Sequence, residues 1–309
     1  MKPAPFDYLS PRSLDEVVRA LAEHPGARVL AGGQSLLPAM ARRALRPSLL
    51  VDLRAVPDLD RIERTAHATL LVGARVTQRQ VERDQVVGQE CPLLTEAVRR
   101  VGHPQTRTRG TVVGGVVHAD PAGELPAVLV ALDGVVHARG PHGTRRIDAA
   151  GFYLGAGHTA LHPDEVAVAV ELPLSPRFPG RAPDTGEGAV AVGAACVEVA
   201  PRANAALCGV LAQVGVRDDG TITAARIALF GVADRPVRAR RAERAVLRGG
   251  SPSCGGHPDE EHPNAGYPGE VVGELVSRAL RQAVRRAHRQ PSRQTPPPAG
   301  REAPREPHE

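Results

Sequence analysis

Two of the four pairs of adjacent glycines in this chain stand two or three residues from a hydroxyl side chain in patterns that suit the binding of a phosphate. The first lies in Ala31-Gly32-Gly33-Gln34-Ser35-Leu36-Leu37-Pro38, directly after an apolar run from Arg28 to Ala31. Glycines let the backbone adopt positive φ and approach a ligand closely, and successive N–H groups in such a turn form a concave nest for an anion. A pyrophosphate is the natural guest, with Ser35 as a further donor and Leu36 and Leu37 anchoring the loop in the core. A tight turn in a glycine-rich chain explains the same residues. The second pattern, Arg109 to Pro121, contains Thr111-Val112-Val113-Gly114-Gly115 and then His118 and Asp120. Two such loops from different parts of one α/β unit would hold a dinucleotide diphosphate largely with uncharged donors.

Glu124 follows at the start of the next helix. As an ionised carboxylate it would accept hydrogen bonds from sugar or ribityl hydroxyls, or it would simply complement the helix dipole. Arg107 and Arg109 either face the phosphates or lie on the surface. His103, His118 and Asp120 lack metal-ligand spacing and are read as loop-stabilising residues. Ser35 has no GxSxG context, which argues against a hydrolase. The four cysteines, Cys91, Cys196, Cys208 and Cys254, show no CxxC or similar spacing, so neither an iron–sulfur cluster nor a structural zinc is expected on this chain.

The elements that position these loops are legible from caps and periodicity. Ser13 and Glu16 stand at capping-box spacing before Val17, Val18 and Leu21. Strands are expected at Arg28 to Ala31, Leu49 to Leu53 and Leu70 to Gly73, a helix at Thr77 and another from Pro92 to Val101. Gly102 to Gly123 reads as a glycine-rich, basic loop leading to a helix from Glu124 to Leu132. Strands Val135 to Arg139, Thr144 to Ile147 and Val166 to Leu172 follow. A Pro/Gly-rich passage near residues 174 to 188 marks a boundary. Beyond it, runs at Ala189 to Val199, Ala206 to Val216 and Thr221 to Val232 read as an antiparallel sheet, covered on one face by helices from Val237 to Arg248 and from Glu270 to about Arg289. The tail from Pro291 has a disordered composition.

Composition narrows the function classes. A chain of 309 residues with 42% hydrophobic and 24% charged residues buries a substantial core. The net charge of +5 sits largely in arginine-rich C-terminal helices without interleaved aromatics, so nucleic acid is not the expected partner. With no Trp, four Phe and three Tyr, aromatic stacking supplies little of any ligand's binding. Neither a signal-peptide pattern nor a membrane-length apolar run is present, and a cytoplasmic location is expected.

The segments AGGQSLLPAM, VDLRAVPDL and VGHPQTRTRGTVVGGVVHADPAGELPAVLVALDG, in that order, resemble the FAD-binding (medium) subunit of the carbon monoxide dehydrogenase and xanthine dehydrogenase family of molybdenum hydroxylases. The likeness covers residues 4 to about 175 closely and the remainder more loosely. It implies an α+β protein: a two-lobed FAD-binding domain of the vanillyl-alcohol-oxidase (PCMH) type over residues 1–175, with lobes of about 1–55 and 56–175. A C-terminal flavoprotein domain would follow over 176–290, with a tail of 291–309. It further implies non-covalent FAD held by Ala31, Gly32, Gly33, Gln34, Ser35 and Leu36, by Thr111, Val112, Val113, Gly114 and Gly115, by Glu124, and by an apolar contact from Leu161. No residue of this chain need act on the organic substrate. The molybdenum cofactor and 2Fe-2S clusters would belong to a large and a small partner subunit in a heterotrimer, or a dimer of heterotrimers. Electrons would reach FAD from the clusters and leave to an external acceptor. A stand-alone FAD-dependent oxidoreductase and a degenerate member without FAD are the alternatives.

Departures from the family pattern sharpen the second alternative. Val113 replaces a glycine where a loop following the family path has positive φ, which implies strain and weakened FAD binding. Gly115 lacks a polar donor, Pro201 to Ala205 lacks the family's acid and aromatic residue, and Tyr267-Pro268 replaces a Tyr-Arg pair.

Overall fold

The computed structural model describes residues 2–174, 190–200, 206–249 and 269–289. Nearly all of the Pro/Gly-rich boundary passage, the Pro201 to Ala205 segment, Cys254, Tyr267-Pro268 and the C-terminal tail lie outside the described residues.

The first lobe is a parallel three-stranded sheet. Its elements are β1 (Asp7–Leu9), α1 (Leu14–Glu23), β2 (Arg28–Leu30), α2 (Leu36–Ala41) and β3 (Leu49–Asp52), with strand order β1-β3-β2. Helix α1 starts where the capping residues place it. Ser13 Oγ accepts from the Glu16 amide at 3.2 Å, and the Glu16 carboxylate accepts from the Arg12 amide at 2.7 Å. Alternation along β3 divides the core. Leu49 and Val51 join Val17, Val18 and Leu21 of α1, while Leu50 turns the other way to Leu30 and Met40 under α2. Strand β1, with all three residues exposed, carries no burial pattern in the sequence and was not expected from it.

The second lobe contains β4 (Ile62–Arg64), β5 (Thr69–Gly73), α3 (Gln78–Arg83), α4 (Gln85–Glu90), α5 (Pro92–Val98), α6 (Pro104–Arg107), α7 (Val112–His118) and α8 (Glu124–Ala131). These are followed by β6 (Val135–Gly140), β7 (Gly143–Asp148), α9 (Ala149–Phe152), β8 (Tyr153–Gly155), β9 (His158–Thr159) and β10 (Val166–Pro173). Five strands form one antiparallel sheet in the order β4-β5-β10-β6-β7, with β10 at its centre. Thr77 and Gln80 complete the capping box of α3 in both directions. The region Gly102 to Gly123, expected as loop, instead forms α6 and α7. The valines and glycines of VVGGVV have poor intrinsic helix propensity, and burial of Val112, Val113 and Val116 outweighs it.

The third layer is the antiparallel sheet β11 (Ala191–Val199), β12 (Cys208–Val216), β13 (Ile222–Phe230) and β14 (Val237–Arg238), with helices α10 (Arg240–Leu247) and α11 (Gly269–Arg289). The helix expected from Val237 begins at Arg240, after two residues of edge strand. One face of this sheet, including Val210, Ala212 and Ile227, packs under α10 and α11. The other face turns Cys196, Leu211 and Phe230 into the core shared with the second lobe. Every residue of β12 is therefore buried. Among the described residues no helix is long and apolar enough to cross a membrane.

Candidate functional site

The two glycine loops meet. A cleft of about 190 Å3 is lined by Ala31 and Gly32 from the first loop and by Thr108, Arg109 and Thr111 from the second, with Leu53, Arg54, Arg75 and Thr77 completing the wall. It is smaller than the roughly 300–1,000 Å3 of a site that encloses a whole drug-sized ligand, so its scale is that of a diphosphate end.

Each wall has a local cause. The first loop leaves β2, passes through Gly33 at φ 72° and enters α2 at Ser35, whose side chain makes no capping bond. Among the described residues the amides of Gly33, Gln34, Ser35 and Leu36 have no acceptor, whereas buried or half-buried amides are ordinarily paired. Four successive N–H groups without an acceptor at the entry to a helix are an arrangement that suits an anion. Gly32 serves a different purpose. A Cβ there would stand 2.3 Å from the Arg109 carbonyl oxygen and 2.7 Å from Gly110 Cα, so a glycine is needed for the loops to touch.

The second loop is held by the first turn of α3. Gln78 N donates to Gly110 O at 2.8 Å and Val112 N to Val76 O at 3.0 Å. Thr111 then caps α7, its Oγ1 accepting from Gly114 N at 3.1 Å, which leaves the hydroxyl proton available to a ligand. The amides of Val112, Gly114 and Gly115 are already used, the last by Thr111 O at 3.1 Å. Only Thr111 among the five expected residues of this loop lines the cleft.

Arg54, Arg75 and Arg109 give the cleft its positive charge. Arg75 is anchored by Val56 O at 2.9 Å and lies 3.8 Å from Asp60. Arg54 lies 3.4 Å from the buried Asp52, which also accepts from Tyr8 Oη at 2.7 Å. Among the described residues Arg109 has no carboxylate at ion-pair distance, so its guanidinium can meet a ligand oxyanion directly. Its neighbour Arg107 behaves oppositely. It is 6% exposed and forks onto Glu82, with further bonds to the carbonyls of Val101 and Gly102. The sequence left both arginines open, and Arg54 and Arg75 were missed.

The remaining expected residues lie off the cleft lining. Gln34 Nε2 folds back onto Gly32 O at 3.2 Å, Ser35 is exposed, and Leu36 packs against the small core beside Leu30 and Met40. Gly115 permits α7 to meet α8, since a Cβ would stand 2.5 Å from Leu125 Cδ1. Leu161 packs on the main core. Asp120 Oδ1 accepts from Ala122 N at 3.0 Å, a loop-stabilising role, and His103 and His118 are exposed. Among the described residues no cluster of metal-ligating side chains occurs.

Val113 corrects the expectation of strain. It lies inside α7 without positive φ and is 2% exposed, so it packs in the core and does not crowd a phosphate. Val113→Gly should therefore leave FAD affinity within about twofold while costing about 2–4 kcal/mol of stability, from lost burial and the helix penalty of glycine. Urea unfolding together with a flavin titration checks both halves.

Glu124 is half-buried at the first position of α8. Burial pushes its carboxyl up to about 7, with smaller contributions from Glu198 and Asp120, while Arg100 works the other way. It is not simply an ionised acceptor at neutral pH, as the sequence suggested, but shared between donor and acceptor forms. A carboxyl raised above its ordinary 4.5 contributes stability in full below that value and loses it as pH rises through about 7. Subtracting the stability–pH profile of Glu124→Gln from that of the wild type removes the other carboxylates' contributions. The difference should fall across that window. Glu198, also raised by burial, adds to the Glu124 shift, so the difference includes their mutual repulsion.

Comparison with known proteins agrees with this geometry. Residues 4–175 match the family described as FAD binding domain in molybdopterin dehydrogenase, and residues 195–253 match the CO dehydrogenase flavoprotein C-terminal domain. The caffeine dehydrogenase subunit beta of Pseudomonas sp. is 35% identical over 250 residues, covering 80% of each chain. Carbon monoxide dehydrogenase from Hydrogenophaga pseudoflava superposes with a TM-score of 0.77 at 30% identity, over 93% of this chain and 99% of that one. Quinoline 2-oxidoreductase from Pseudomonas putida 86 gives 0.77 at 32% identity with the same coverage. A guanidinium-lined cleft where two glycine loops meet suits the diphosphate of FAD, and with both family matches in chain order this chain belongs to the FAD-binding medium subunits of the molybdenum hydroxylase family.

Proposed function

We propose that this chain holds FAD non-covalently and relays electrons from iron–sulfur clusters on a small partner to an external acceptor. A large partner with the molybdenum cofactor would hydroxylate the substrate. The observation that carries the reading is the convergence of the two glycine loops on one arginine-lined cleft. The relatives named as a medium chain or subunit beta support the existence of partners.

The flavin, when bound, supplies the redox chemistry. The chain's own residues have narrower tasks. Amides of Gly33 to Leu36 and the Thr111 hydroxyl would orient the diphosphate, and Arg54, Arg75 and Arg109 would neutralise it. Glu124, in its protonated or ionised form, would meet the ribityl or sugar hydroxyls, and Leu161 would offer an apolar contact. Residues 1–175 would form the FAD-binding domain and 176–290 the C-terminal domain. The complex would be cytoplasmic.

The deciding experiment is the visible spectrum of the purified chain before and after heat denaturation and filtration, with added FAD if it is colourless. Flavin absorption released into the filtrate is the expected result. A protein that neither carries nor takes up FAD overturns the reading, and flavin binding without co-purifying large and small subunits leaves the stand-alone oxidoreductase in its place.

A further inference from the structure

The third layer carries a second concavity, unrelated to the flavin cleft. It measures about 590 Å3 and is floored by Ile222, Val246, Leu247, Leu280 and Val284, with Gly220 and Thr221 at one end. Leu247 is 45% exposed, an unusual setting for leucine on the outward side of a charged helix. Helix α10 places Arg244, Leu247 and Arg248 on one face by three- and four-residue spacing, and α11 does the same for Arg278, Arg281 and Arg285. All five arginines are exposed. Arg281 is partly neutralised by Glu274 at 3.1 Å. The acids at the far end are Asp218 and Asp219, in the turn beyond Gly220.

We infer that this groove docks an acidic amphipathic helix of a partner polypeptide, with apolar anchors in the floor and carboxylates on the arginine rim. Size and lining fit the helix-in-groove mode, in which anchors recur every three or four residues. The arginines fix the sign of the partner, since guanidinium groups that flank an apolar strip reject a basic helix and pair with a carboxylate-rich one. The inference draws only the existence of a partner chain from the subunit reading, and it does not depend on flavin.

The test uses the full chain and fluorescein-labelled helical peptides of about twelve residues, with leucines at the spacing of groove anchors and glutamates elsewhere. The leucine–glutamate peptide is expected to bind, and its serine–glutamate counterpart to bind at least about tenfold more weakly. Arg281→Glu combined with Arg285→Glu, and separately Leu247→Ser, should each weaken binding about tenfold while leaving flavin content and melting temperature unchanged. Equal binding of the two peptides would overturn the inference, because charge alone would explain it. Equally tight, arginine-dependent binding of single-stranded oligonucleotide would overturn it in favour of a nucleic-acid surface. Peptide binding that emerges only after residues 251–267 are replaced by a Gly-Ser linker would make this chain its own occupant and overturn it as well. A colourless protein that binds the peptide as expected would count against the flavin reading alone.

Discussion

Gly32→Ala should yield a folded chain that purifies without flavin and takes up added FAD at least about 100-fold more weakly, a loss of about 2.7 kcal/mol. The added Cβ would stand 2.3 Å from Arg109 O, 2.7 Å from Gly110 Cα and 2.9 Å from Thr111 N. All three are backbone atoms, and they cannot rotate aside as a side chain can. The loops must separate, and Ala31 and Gly32 then no longer form one cleft with Thr111 and Arg109 for a diphosphate. Charge-assisted bonds lose strength steeply with such a displacement. Gly88→Ala is the matched control. A Cβ there meets nothing within 4 Å, and alanine in α4 should be neutral or stabilise by up to about 1 kcal/mol with flavin retained.

Arg107→Ala should cost about 1.5–3 kcal/mol of stability, because it leaves the half-buried Glu82 carboxylate with Arg79 alone and two carbonyls without their donor. Arg107 Nε and Nη2 reach the two oxygens of Glu82 at 3.1 and 3.2 Å, and Nη1 reaches the carbonyls of Val101 and Gly102 at 3.0 and 3.1 Å. Burial alone would raise the Glu82 carboxyl, yet hydrogen bonds from Arg107 and Arg79 hold it below its ordinary value. Arg107→Lys should recover little, since an ammonium cannot fork across a carboxylate and serve two carbonyls in the same plane. Urea unfolding reads the loss directly. Because Arg107 closes α6 just before Thr108 to Thr111, flavin affinity should fall with it. Wild-type stability in Arg107→Lys would show the fork to be dispensable.

Where chemistry is local, the sequence revealed it. Ser13 with Glu16 and Thr77 with Gln80 announced their helices, and Asp218-Asp219-Gly220 announced the turn between β12 and β13, because caps and turns are decided by neighbours a few residues apart. The Ala31 to Leu36 loop was legible for the same reason. Helix α7 was not. Its valines and glycines favour other conformations, and only burial against the rest of the lobe makes them helical. Arg75 of the cleft was hidden by distance along the chain: the carbonyl that aims it belongs to Val56, nineteen residues away. Arg107 and Arg109 could not be told apart from their spacing, since one finds Glu82 and the other finds the cleft.

Strand β10 sits between β5 and β6, which do not pair with each other. During synthesis the hairpins β4–β5 and β6–β7 can each close as they emerge, but they remain separate until residues 166–173 arrive to join them. Helix α7 packs against both β5 and β10, so the support behind Thr111 is completed only at that moment. The nascent chain thus has its first glycine loop long before it has a rigid wall opposite. Capture of the cofactor must wait for the last strand of the lobe, and a ribosome stalled before residue 166 would present two unpaired sheet edges to any chaperone within reach.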